Sequence, residues 1–158
     1  MEAIITAATV LASYLNVATA NQSGYMYNAS YEDNKVTKIE VYNRSGNTIS
    51  RKLKNHFEYD AQGRLQKKET FVWNNETAEW MPCRLYSYSY NDLGYTISLS
   101  EWNSSLKQFA EAKEKTVYHI VANNVIAVDN YKRENKDHEF EMNSATLVLA
   151  PQNDIAAK

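Results

Sequence analysis

Residues 57–73 read FEYDAQGRLQKKETFVW: a tyrosine, an acid, two ordinary residues, a glycine, and then a resumed apolar pattern. The same spacing recurs as VYNRSGN from Val41 and SYNDLGY from Ser89, so Tyr42/Gly46, Tyr59/Gly63 and Tyr90/Gly94 share one arrangement. Asn or Asp at the first position of a type I turn hydrogen-bonds the backbone ahead, and glycine at the fourth supplies a left-handed bulge residue. Each copy therefore reads as a hairpin tip. The geometry sets Asn or Asp opposite the residue after the glycine, pairing Val41 with Ile49 and Tyr59 with Leu65. Three of the four glycines are used this way, and Gly24 carries no such requirement.

Working outward, tyrosine is heavily used, twelve residues, and only two prolines interrupt the chain. Short alternating runs bounded by turn residues are the pattern of β-strands. The expected strands are 36–42, 47–53, 55–60, 64–73, 79–91, 95–103, 107–111, 114–121, 125–133 and 138–149. The linkers are too short for helical crossovers, so the expected class is all-β, an antiparallel meander of about ten strands and hairpins. A further likeness joins WNNETAEW, Trp73 to Trp80, with WNSSLKQF, Trp102 to Phe109. The expectation is a duplicated unit of hairpin, Trp-Asn turn and aromatic return strand.

A chain of 158 residues is one domain's worth. Residues 2–20, EAIITAATVLASYLNVATA, carry no charge after Glu2 and end in Ala-Thr-Ala, the small-x-small pattern of a signal-peptidase site. The same run also reads as an N-terminal helix of the domain, and no Lys or Arg precedes it. The expected organisation is a signal peptide over 1–20, a linker over 21–35, one β domain over 36–149 and a tail over 150–158. Loss of the leader leaves 17 basic and 18 acidic side chains, a formal charge of −1. No basic cluster interleaved with aromatics points to nucleic acid. The single cysteine, Cys83, has no internal partner. A secreted or periplasmic product without a membrane span in the mature chain is expected.

The segment YDAQGRL, the Trp-Asn turns and the run RLYSYSYNDLGYTISLSEWN resemble an uncharacterised domain-of-unknown-function family of small secreted proteins from gut Bacteroidales. The likeness covers Tyr31 to Leu149. More distantly, EYDAQGRL is similar to one unit of the YD repeat of Rhs and teneurin shells. The first resemblance implies a signal-bearing, all-β bacterial protein of the envelope or exterior, and neither brings a catalytic residue.

Chemistry is sparse. His56, His119 and His138 sit on different expected strands, and His138 and Glu139, as strand neighbours, point to opposite faces. Metal ligands, cofactors and nucleophile motifs have no sequence support. A glycosidase-like carboxylate pair needs only the right separation; Glu79 and Glu101, each before a tryptophan, are its candidates. The leading candidate is a ligand-binding face of Tyr86, Tyr88, Tyr90, Trp102 and Arg84. A bulged register after Gly94 sets the three tyrosines opposite Ser100, Ser98 and Thr96 and Arg84 opposite Trp102, which leaves a wet aromatic ladder for a glycan or envelope protein. An unbulged register instead pairs Tyr88 with Ile97 and Tyr86 with Leu99 and makes the rings core. The pattern accommodates both registers.

Overall fold

The computed structural model of the chain describes residues 4–20, 24–122 and 124–149. One helix, α1 (Ala7–Ala20), is followed by β1 (Tyr25–Glu32), β2 (Lys35–Ser45), β3 (Thr48–Tyr59), β4 (Leu65–Asn74), β5 (Glu79–Asn91), β6 (Gly94–Asn103), β7 (Gln108–Phe109), β8 (Glu114–Ala122), β9 (Val125–Lys132) and β10 (Glu141–Leu149). The strands form one antiparallel sheet in the order β1-β2-β3-β4-β5-β6-β8-β9-β10, with β7 folded onto β6. The all-β meander is as expected, and the sheet is open.

The strand expected at 107–111 shortens to β7 and the one expected at 138–149 starts at Glu141, and two assignments differ more deeply. The segment assigned to a linker contains β1, closed onto β2 by Asp33 and Asn34, which both take positive φ as a two-residue hairpin turn demands. The strands expected at 47–53 and 55–60 are one, β3. The pairing with β2 slips between Val41 and Tyr42, so the irregularity is a bulge inside a continuous ladder.

The three hairpin motifs diverge. At Asp60 the expected turn forms: Gly63 has φ +77, its N–H donates to the Asp60 carbonyl at 2.9 Å, the Asp60 carboxylate accepts from the Gln62 and Arg64 N–H groups, and Tyr59 faces Leu65. At the first copy the expected Val41–Ile49 pair is absent. Val41 faces Leu53 and the turn shrinks to Gly46 and Asn47, because β1 pairs with Asn43 and draws residues 43–45 into the ladder. At the third copy the register is the unbulged one, with Asn91 opposite Gly94 and Tyr88 opposite Ile97. There β8 pairs with Gly94 and the Ile120 N–H donates to the Leu93 carbonyl at 2.9 Å, so residue 94 is a strand residue. Gly24 is constrained as well, since a Cβ there meets the Arg44 carbonyl oxygen.

The duplicated unit is visible in the backbone. Trp73 packs edge-on against Trp80 at 5.1 Å, and Trp102 against Phe109 at 5.1 Å. Ala78 and Lys107 hold the same left-handed position, φ 54 and 51. Asn74 and Asn103 each accept two backbone N–H groups of the turn that follows them.

The core lies between α1 and the first strands: Val10, Val36, Ile39, Val41, Phe57 and Leu65 are buried, ringed by Tyr14, Tyr27, Leu53, Tyr59 and Tyr88. Thr9 accepts the Thr6 N–H at 2.8 Å, the backward half of a capping box. The Leu65 N–H donates to the Ile5 carbonyl at 2.7 Å, and Thr6 bridges to Arg64, fastening the start of α1 to β4. Among the described residues no helix is long and apolar enough to cross a membrane.

The glycines give the first test. Gly63→Ala forces a left-handed alanine at a cost of about 1 to 2 kcal/mol. Gly94→Ala should cost more, because its Cβ would stand 2.9 Å from the Tyr118 carbonyl carbon and force β6 off β8. Urea unfolding of both variants reads the order, and a Gly94→Ala loss no larger than that of Gly63→Ala contradicts the β6–β8 contact.

Candidate functional site

The unbulged register decides where the expected binding residues go. Arg84, Tyr86, Tyr88 and Tyr90 pair with Glu101, Leu99, Ile97 and Tyr95, not with the hydroxyl ladder of the bulged alternative. Side chains alternate along a strand, so Tyr86, Tyr88 and Tyr90 share the face that carries α1. Trp102, one residue past Glu101, has the opposite parity.

Tyr88 packs on the core cluster, and burial first, then the neighbouring Tyr90, raises its phenol above the ordinary range. The Tyr90 hydroxyl donates to the Leu65 carbonyl at 2.7 Å while the Arg64 guanidinium covers its ring at 4.6 Å. From Tyr90 a row of rings runs across the strands, through Tyr95 at 6.0 Å to Tyr118, which stacks on Tyr95 at 4.6 Å. The aromatic ladder therefore runs across the sheet, while the inner members of the row along β5 serve packing.

Two open hollows flank this packed region, and Arg84 lines both. The first, about 330 Å³, lies where α1 leaves the sheet uncovered and is rimmed by Tyr14, Tyr25, Tyr27 and Tyr86 with Lys52 and Lys68. Tyr14 stands edge-on to Tyr27 at 5.8 Å, the Lys52 ammonium donates to the Tyr25 hydroxyl at 2.7 Å, and Lys68 lies 5.1 Å from the centre of the Tyr86 ring. Burial draws the Lys68 ammonium below the ordinary lysine range. On its floor the Thr70 hydroxyl donates to Oδ1 of Asn55, a buried amide, at 2.8 Å. The second hollow, about 630 Å³, opens where β7 and the chain after it bend over β6, and is lined by Arg84, Glu101, Trp102, Glu111, Lys113 and Glu114 among others. Glu111 meets Arg133 at 3.2 Å and Glu114 meets Lys132 at 3.3 Å.

Of the five expected binding residues, Arg84 and Tyr86 meet in the first hollow and Arg84 and Trp102 in the second; Tyr88 and Tyr90 line neither. Glu79 faces Asn74 at the end of its hairpin, outside both. Tyr14, Tyr25 and Tyr27 escaped the sequence reading because they fell in segments assigned to leader and linker. The two-residue spacing of Tyr25 and Tyr27 was the available strand signal. His56 lies against Phe71 at 5.1 Å, His119 faces Asp129 at 3.8 Å and His138 contacts Asn135 at 2.8 Å, so the three histidines stand apart.

Comparison with known proteins agrees with the resemblance read from the motifs. The model of a family of unknown function (DUF3836) matches residues 1–120. Among solved structures, a protein of unknown function from Bacteroides fragilis superposes with a TM-score of 0.69 at 21% identity, over 82% of this chain and 96% of its own. A DUF3836 family protein from Bacteroides vulgatus gives 0.53 at 23% identity, over 55% and 89%. No curated protein matches. At these identities the structures speak for the fold.

Burial raises the phenols of Tyr14, Tyr59 and Tyr95 from the ordinary 10.0 to about 12. The folded state thus holds these protons more tightly than the unfolded state. Their contribution is complete below pH 10 and is lost as pH climbs from 10 toward 12. The tyrosine contribution should hold up to about pH 10 and fall above it, with phenolate absorbance rising together with unfolding. Free ionisation of all the tyrosines before any loss of circular dichroism would contradict their burial.

Proposed function

The chain belongs to the DUF3836 family, a family of unknown function, and from that premise we propose that it is a non-catalytic, exported β-protein that binds a glycan or a protein partner across the two hollows that share Arg84. The observation that carries this reading is the convergence of Tyr25, Tyr27 and Tyr86 with Lys52, Lys68 and Arg84 around one open cavity, to which Tyr14 adds a ring only while α1 is present. Aromatic rings with polar tips stack on the apolar faces of sugars, and the interleaved ammonium and guanidinium donors suit hydroxyl and carboxylate oxygens. Arg84 continues the lining toward Trp102. A chain-like glycan fits this arrangement better than a compact metabolite.

Export rests on the uncharged run before Ala18-Thr19-Ala20. In an exported chain α1 leaves, taking Tyr14 and Val10, and the first hollow widens over the apolar floor of Val41, Phe57 and Leu65. Such a floor under a tyrosine rim still suits a stacking ligand.

The hydrolytic alternative has one observation in its favour, the presence of Glu101, Glu111 and Glu114 about one cleft. Against it, a catalytic acid is held protonated by an apolar surround. All three of these carboxylates are exposed, and two are already paired with cations.

Two experiments test the proposal. Intact-mass analysis of protein recovered from the periplasm or medium should give an N-terminus at or near Asn21; a full-length product retained in the cytoplasm would refute export. On a glycan array, Tyr86→Ala and Arg84→Ala should weaken capture by about 2 kcal/mol or more, as expected for an aromatic or arginine anchor, with circular dichroism unchanged. Turnover of a captured glycan that Glu101→Gln abolishes in a folded protein would replace the binding reading with the hydrolytic one.

A further inference from the structure

We propose that the outer edge of β10 is a self-association surface, on which a second copy of this chain adds its own β10 antiparallel across a two-fold axis. The sheet ends at β10, which pairs with β9 on one side, and among the described residues no strand lies beside its other edge. All nine residues, Glu141–Leu149, are exposed, with Leu147 at 70% and Leu149 at 79%.

Exposed edge strands are ordinarily guarded by a lysine, an inward-pointing charge or a proline. From Met142 to Leu149 the sequence MNSATLVL holds no charged residue and no proline, and it ends in three consecutive large aliphatics. One bulge, between Met142 and Ser144, leaves Ser144–Leu149 as a regular ladder against β9. Glu141 and the bulge guard only the start of the strand, and the regular, uncharged stretch Ser144–Leu149 beyond them is a template for another strand.

Closure selects the partner. The sheet path holds nine antiparallel strands, so β1 and β10 run the same way. Joining β10 to the β1 edge of the next copy is head-to-tail, parallel when both copies keep the same face up and antiparallel when the next copy is turned over, and in either case it continues without closing. Joining β10 to its own counterpart is antiparallel, keeps the pattern of the meander and closes at two. The sequence suits this register: centred on Leu147, the pairing sets Leu147 against Leu147 of the second copy and Leu149 against Ala145 on one face, with Val148 against Thr146 on the other. Cross-strand pairs of aliphatic and β-branched side chains are the units that stabilise such a junction.

The test is the mass of the full chain, measured by light scattering over a concentration series, for the natural sequence and for Leu147→Lys and Val148→Lys. Both substituted residues are exposed in the single chain, and circular dichroism checks that the variants keep the fold. The natural sequence should reach twice the monomer mass and stop there, and both lysine variants should stay at the monomer mass, because the two-fold brings each added charge close to its own copy. In a Cys83→Ser background, Leu147→Cys should yield a disulfide-linked dimer on mild oxidation. A natural sequence that stays monomeric throughout, a series that grows past two without limit, or a dimer untouched by both lysines overturns the proposal.

Discussion

Leu65 is the point on which the rest of the structure turns. Its side chain is buried in the core at 2% exposure, its N–H holds the Ile5 carbonyl, and its carbonyl accepts the Tyr90 hydroxyl. Three elements distant in sequence, the approach to α1, the start of β4 and the end of β5, are thus tied at one residue. That residue is positioned by the turn before it. The Asp60 carboxylate collects two backbone N–H groups and the Arg64 guanidinium at 2.7 Å, and this sets Tyr59 opposite Leu65. A one-residue slip there would turn Leu65 to the other face of the sheet and release all three ties together.

The same dependence explains why one motif has three outcomes. Y-[N/D]-x-x-G specifies a bulged turn only when its backbone is free of lateral competition. At Asp60 β5 starts pairing with β4 only at Lys67, so the turn keeps its own hydrogen bonds. At Asn43 and at Gly94 a further strand, β1 or β8, pairs directly with the motif and holds it in a two-residue turn, even though at the third copy Asn91 Oδ1 still accepts the Leu93 and Gly94 N–H groups at 3.0 Å. Gly94 is then needed for space against the β8 backbone and not for handedness. The hairpins, the all-β class and the duplicated tryptophan unit were legible because they depend on neighbours along the chain. The register of β5 on β6, and with it the fate of Tyr86 and Tyr88, was not, because it depends on β8, some twenty-five residues further on.

The candidate site was legible in part for a related reason. Arg84, Tyr86 and Trp102 were identified from alternation along one hairpin, and all three do line hollows. The alternation carried no information on which rings another element would cover. Tyr88 and Tyr90 are taken up by the core and by the Leu65 carbonyl, while the rim gains Tyr25 and Tyr27 from β1 and Tyr14 from α1. Rings at the boundary of the packed region keep one face open, whereas rings at its centre are covered by packing.

That boundary is set by α1, the only helix among the described residues, lying over part of one face of a ten-stranded sheet. If export removes it as proposed, the Leu65 N–H loses the Ile5 carbonyl, Tyr14 leaves its places against Tyr27 and Phe57, and Val10 leaves the buried cluster. Ile39, Val41 and Phe57 would then form an open apolar floor between tyrosines. An apolar floor left to water forfeits the transfer free energy that burial supplied, about 25 cal/mol per Å². The sheet recovers this only by curling further or by taking a ligand against the floor. Whatever covers the floor in an exported chain must therefore bring apolar surface of its own, flat enough to lie between rings, together with polar groups for Lys52, Lys68 and Arg84 at the rim. A sugar ring, apolar across its face and polar around its edge, meets both demands, and a purely aliphatic chain meets only the first.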